Sequence, residues 1–236
     1  MTEPLSIVCW KWQSLNAYRS TFKARHVNTF ASMVQRNLTI PHRIFCITDN
    51  PCGIDSDVTT VRLWPNPVPQ YGSMHRPNCF VRLKAFSKDF AAIVGPRFVS
   101  IDLDCVITGN MDSLFDHKED FKIWGDTNHL TPYNGSMWQM NTGARSKVWE
   151  SFDPLTSPDI PAQKQYFGSD QAWISYKLGP DEKKWGKADG VYSYRNDIKP
   201  DGNRLPWDSK IVFFHGQHNP WDTEMQNFQW IKEHYK

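Results

Sequence analysis

The sequence predicts an α/β fold with a mixed, mostly parallel central sheet, built as a single domain over residues 1–236. Two observations carry this. Over the first hundred residues, apolar strand-like runs alternate with segments of helical periodicity in the order strand, helix, strand, strand, helix, strand. No internal repeat or long linker divides the 236 residues, a length that suits one domain with a sizeable core.

Residues 6–12 (SIVCWKW) open as a short strand. From residue 16 to 38 the pattern turns helical, with Val27, Phe30, Ala31, Val34 and Leu38 at three- and four-residue steps. Residues 43–48 (RIFCIT) form a strand closed by Asp49-Asn50-Pro51 and Gly53, and 59–64 (TTVRLW) form another, ended by the proline-rich loop 65–69. A helix is predicted over 78–92, with Phe80, Leu83, Phe86 and Phe90 along one face. Gly95-Pro96 stops it, and strand 97–101 (RFVSI) follows. The second half is less regular: strands at 121–124, 136–140 and 211–214, a helix near 170–178 and a final helix over 221–234.

A formal net charge of +2 implies no strong pull toward nucleic acid or acidic membranes. No window reaches the roughly 20 apolar residues of a membrane span, and the N-terminus lacks the basic flank and apolar stretch of a signal peptide. Five scattered cysteines without a CxxC pair read as reduced thiols. The expectation is a soluble, cytoplasmic protein. Eleven Trp, fourteen Phe and eight Tyr suit stacking on sugar and base faces, and equally the filling of a core.

In an extended chain residues two apart point the same way, so Asp102 and Asp104 at the end of strand 97–101 present both carboxylates on one side. They repel unless a cation lies between them or one is protonated. A hard divalent ion with oxygen ligands resolves this and also accepts phosphate oxygens. An acidic turn ending a strand is the alternative. Apolar stretches on both sides, the second being Cys105-Val106-Ile107, make two unpaired acids costly and favour a site. Near the other end of the chain IVFFHGQHNPW delivers His215 from an apolar strand. Gly216 allows close backbone approach, and neutral imidazole is a plausible third ligand for Mn²⁺ or Mg²⁺.

Two other classes fit parts of the pattern. A haloacid dehalogenase-type phosphatase would use Asp102 as nucleophile. Its Asp-x-Asp normally lies near the start of the domain, and Gly125-Asp126 follows too closely to serve as its later acidic loop. A noncatalytic carbohydrate-binding protein would use the many Trp residues, but such modules are mostly all-β.

The order of motifs resembles the GT-A-fold glycosyltransferases, particularly the family 8 type that includes glycogenin and bacterial galactosyltransferases. The resemblance rests on Cys79-Phe80-Val81-Arg82-Leu83 before the Asp-x-Asp strand and on the segment from Ile107 through Asp112 to Phe115 after it. It continues through Tyr133-Asn134-Gly135-Ser136-Met137-Trp138 and Gly168-Ser169-Asp170-Gln171-Ala172-Trp173 to the closing His/Gly/Pro/Trp loop. It implies transfer of a sugar from a nucleotide-diphosphate donor, a UDP-sugar, to an unknown acceptor, with retention at the anomeric carbon as in family 8. It further implies that Asp102, Asp104 and His215 hold Mn²⁺ or Mg²⁺ on the diphosphate, where a Lewis acid stabilises the departing charge. Arg82 would pair with donor phosphate or sugar, and Asp102 would also touch ribose or sugar. Asn134 and Gly135, with Ser136, would lie beside the transferred sugar. Asp170 and Gln171 would stand at the reacting carbon as catalytic residues. Trp10 and Lys11 would meet the base, Gly216 and Asn219 the diphosphate, and Asp126 the sugar or acceptor. Plainer roles stay open: a salt-bridged Arg82, core packing for Trp10 and Trp12, a turn at 134–136, and helix capping by Ser169 or Asp170. The family's closing pattern is HxxGxxKPW. Here Phe213 stands three residues before Gly216, His215 is shifted by two, and Asn219 replaces a phosphate-contacting Lys, a role left to Lys210, Arg82 or Lys84.

Overall fold

A computed structural model describes residues 3–13, 22–68, 78–125 and 130–236. Its elements run β1 (Leu5–Lys11), α1 (Ala24–Asn37), β2 (His42–Thr48), β3 (Val58–Arg62), α2 (Ala91–Val94), β4 (Arg97–Ile101), β5 (Cys105–Ile107), α3 (Asp112–Phe115) and β6 (Phe121–Gly125). They continue with β7 (Tyr133–Asn141), α4 (Lys147–Glu150), α5 (Asp170–Leu178), β8 (Lys184–Trp185), β9 (Val191–Ser193), β10 (Ile211–Phe213) and α6 (Gln229–His234).

Seven strands form the main sheet in the order β3-β2-β1-β4-β7-β6-β8, and β5-β10-β9 form a smaller one. The strands from β3 to β4 pair in parallel, as the strand–helix alternation predicts, and β7 runs antiparallel to both β4 and β6. β1 is buried along its whole length, the expected state of a parallel strand covered on both faces. Its side chains alternate between two cores: Ile7 and Cys9 join the apolar face of α1 (Val27, Phe30, Ala31 and Val34), while Val8 and Trp10 join Phe80, Leu83 and Phe86.

Several boundaries differ from the sequence expectations. Within the described residues the first helix begins at Ala24, and residues 16–21 of the predicted span lie outside them. The helix expected over 78–92 is instead two 3₁₀ segments, Asn78–Phe86 and Lys88–Phe90, leading into α2. The indole N–H of Trp64 donates to the Val81 carbonyl at 2.7 Å, taking an acceptor a regular α-helix would use itself, and Ser87 N–H closes on Lys84 O three residues back. The short strand at 136–140 is the middle of the nine-residue β7, which absorbs the expected turn at 134–136. The last helix is only Gln229–His234, because Asn219 and Asp222 form a turn and Gln226 donates to the Pro220 carbonyl.

The chain changes sheets at Asp102. β4 belongs to the large sheet and β5, three residues later, to the small one. The Asp-x-Asp segment therefore lies where the two sheets meet.

Candidate active site

Both neighbouring sheets hold that crossing. Asp102 N–H donates to the Ser136 carbonyl of β7 at 2.9 Å, and Phe214 N–H donates to the Asp104 carbonyl at 2.7 Å. Leu103 points into the core at 1% exposure, as the alternation requires, and Asp104 is itself buried.

The charge problem posed by these acids is met in part by the protein's own cation. Arg82 is buried, its Nη1 binds Asp102 Oδ1, and its Nε and Nη2 reach Asp170 Oδ2 at 2.9 and 2.7 Å. Burial works against the guanidinium charge, but Asp102 and Asp170 outweigh it and hold the group above its ordinary range. Asp170 reaches this position as the first residue of α5. Its other oxygen accepts from Ser169 Oγ at 2.7 Å, and no side-chain cap bond forms at Ser169, so the capping role gives way to the Arg82 pairing.

Gly135 lies against the same cluster. A Cβ at this position would stand 3.1 Å from Arg82 Nη2, 3.5 Å from Gln171 Cβ and 3.7 Å from Asp170 Oδ2. Gln171 spans from Gly135 N–H (3.5 Å) to Thr131 Oγ1 (3.2 Å), and Asn134 Oδ1 accepts from Ser136 N–H at 2.9 Å. Thus Arg82, Asp102, Gly135, Asp170 and Gln171 come together, from four separate stretches of chain, with Asn134 next to Gly135 in β7.

The expected metal ligands Asp102, Asp104 and His215 lie on adjoining stretches of chain but do not form a closed ligand group. Among the described residues no three His, Cys, Asp or Glu side chains are grouped as ligands of one ion. Phe213 pairs with Cys105 and Phe214 N–H donates to the Asp104 carbonyl, so the antiparallel register carries His215 on past Asp104 to the level of Leu103. His215 Nε2 lies 2.7 Å from Ser193 Oγ, and its ring sits edge-on to Trp124 at 5.7 Å.

Other expected contacts also resolve differently. Trp10 is 2% exposed, and its indole N–H donates to Ser100 Oγ at 2.8 Å. It packs the core and offers no face to a base. The Lys11 ammonium is held by the Asn50 carbonyl at 2.7 Å and Thr48 Oγ1 at 3.3 Å. Lys84 lies over the Trp64 ring, and Lys210 bonds Ser113 Oγ, so neither stands with the acids. Asn219 holds a turn through Asp222. Asp126 lies outside the described residues.

Sequence reasoning missed a cavity of about 260 Å³ that His215 and Gly216 share with Tyr194, Arg195, Lys199, Gln217 and His218. Arg195 lies within a single π-helical turn, Tyr194–Ile198, and Lys199 caps it, its N–H donating to the Tyr194 carbonyl. No recognisable motif marks this turn. The i, i+4 spacing of two cations was the available signal.

No protein-family model and no curated protein matches the sequence. Solved structures do match the fold. The galactosyltransferase LgtC, crystallised with donor and acceptor sugar analogues, is 11% identical with a TM-score of 0.62, covering 97% of this chain and 94% of LgtC. The glycosyltransferase GlyE of Streptococcus pneumoniae is 13% identical (TM-score 0.59), covering 97% of this chain and 63% of GlyE. WbbM, a bifunctional glycosyltransferase, is 11% identical (TM-score 0.57), covering 99% of this chain and 51% of WbbM. Neither the phosphatase alternative, with Asp-x-Asp near the domain start, nor an all-β binding module matches this architecture. The chain has the GT-A fold that the resemblance to family 8 glycosyltransferases implied.

Proposed function

We propose that this protein is a glycosyltransferase that moves a sugar from a nucleotide-diphosphate donor, a UDP-sugar, to the hydroxyl of an acceptor. The observation that supports it most is the cluster of Arg82 with Asp102, Asp170, Gly135 and Gln171. These positions were singled out by motif order alone, and they are gathered at the junction of the two sheets. In this reading the bond from the anomeric carbon to the diphosphate breaks, an acceptor oxygen bonds that carbon, and the acceptor proton leaves. Asp170 and Gln171 stand beside the sugar, with Gly135 leaving room for its approach. Arg82 keeps Asp102 and Asp170 in fixed orientation, since a buried fork between two carboxylates needs no reorganisation during reaction. Retention follows family 8.

A panel of nucleotide sugars with product analysis tests this directly. Transfer or slow hydrolysis of at least one donor is expected, and Asp104→Asn should abolish it while leaving the thermal transition in place. Complete inertness toward the panel, with no stabilisation by UDP or GDP, would sink the reading. His215, the third expected ligand, meets Ser193 Oγ through Nε2. Running every donor with chelator and with added metal therefore separates an ion requirement from transfer itself.

A further inference from the structure

We infer that Arg195 and Lys199, with the backbone at Gly216, form an oxyanion site that holds the diphosphate of the donor through protein cations. This rests on the sugar-transfer reading and adds to it residues that no motif marked. The cavity lining includes an arginine, a lysine and two histidines but no carboxylate. Its floor is rigid: the Tyr194 ring stacks on Phe214 at 4.5 Å, and Phe214 N–H is tied to the Asp104 carbonyl. The cavity thus begins one residue from the strand position that anchors the acidic segment.

The cations are presented for binding. Lys199 and Arg195 are exposed, and Arg195 makes no ion pair among the described residues. Lys199 Nζ lies 3.0 Å from His218 Nε2. An ammonium only donates, so this imidazole nitrogen accepts and Nδ1 carries the proton, which goes to Glu224 Oε1 at 2.6 Å. His218 and Glu224 therefore fix the lysine head without neutralising it by direct contact, and its remaining N–H groups stay available for phosphate oxygens. The π-turn adds one residue to the helical step and closes Lys199 N–H on Tyr194 O; such turns recur at functional sites. Gly216 has φ +118°, a conformation a side chain would strain, and it leaves the backbone bare beside Arg195. Asn219 stands where the resembling enzymes place a phosphate lysine, so the two cations of the π-turn supply charge that the closing loop lacks.

Binding of inorganic pyrophosphate, inorganic phosphate and UDP by calorimetry, each with chelator present, tests the site. Pyrophosphate and UDP should bind the wild-type chain more tightly than phosphate. Each of Arg195→Ala and Lys199→Ala should weaken pyrophosphate about ten- to a hundredfold, the usual value of a charge-assisted hydrogen bond. The charge-preserving pair Arg195→Lys and Lys199→Arg should recover part of it. Equal pyrophosphate binding by the double alanine variant, binding seen only with added metal, or no binding by the wild-type chain would each overturn the site. If pyrophosphate needs both cations but no nucleotide sugar is turned over, the site stands and the sugar-transfer reading falls. If a donor is turned over with unchanged KM in the double variant, the reverse holds.

Discussion

Arg82 and Arg195 carry the same charge in opposite surroundings. Arg82 is 6% exposed and locked between two carboxylates, whereas Arg195 is exposed and pairs with no acid among the described residues. A buried guanidinium must be matched by acids at hand, since an unpaired charge there is very costly. Its charge is therefore already spent on holding geometry. An exposed one bears little desolvation cost and can be offered to a ligand, at the cost of salt screening. The difference predicts that the first arginine governs folding and alignment, and the second governs affinity.

The largest effect expected is from Arg82→Met. It leaves Asp102 and Asp170 without their cation, and breaking a buried pair in this way costs about 3–5 kcal/mol, read as a lower urea midpoint. Arg82→Lys should recover only part, because a point charge cannot span both carboxylates as the fork does. An unchanged midpoint in Arg82→Met would break the comparison. Gly135→Ala comes next. Its Cβ would stand 3.1 Å from Arg82 Nη2, so the guanidinium must move, with an expected loss of about 1–3 kcal/mol in stability and a fall in transfer rate.

Arg195→Ala should leave stability within about 0.5 kcal/mol of wild type, as for most surface substitutions. It should also flatten the decline of UDP affinity with rising salt, measured by titration at low and high ionic strength. A pH-dependent effect concerns a group away from the acids. His26 stacks on Trp221 of the closing loop at 4.0 Å, and burial, helped by Arg25 and Lys23, lowers its pKa from 6.5 to about 4. The folded state thus keeps it neutral while the unfolded chain takes a proton. Stability should fall as pH drops from about 6.5 toward about 4 and be flat in this respect above that window. His26→Gln should remove this component of the slope in denaturation series across that range.

Much of the fold was legible because burial writes a period into the sequence. Val27, Phe30, Ala31 and Val34 lie on the buried face of α1, and helix 170–178 coincides with Asp170–Leu178. An error arose where a distant group took over local bonding, as Trp64 does at Val81. β7 was read as a short strand after a turn because Asn134 and Gly135 are poor strand formers, yet pairing with β6 on one side and β4 on the other holds the strand. The cavity at Arg195 and Lys199 left almost no trace, since exposed cations at i and i+4 are ordinary on any helix.

No helix of the described residues is long and apolar enough to cross a membrane. By itself the sequence determined the α/β class, the place of the acidic pair at a strand end, and the order of segments that resemble GT-A enzymes. These follow from local spacing, which side-chain period and turn chemistry impose directly. Only the tertiary structure decided which charge answers those acids, because that depends on the approach of Arg82 from 20 residues before Asp102 and of Asp170 from 88 residues after Arg82. Electrostatic partners are chosen by distance in space and by desolvation, and neither is written in the spacing of residues along a chain.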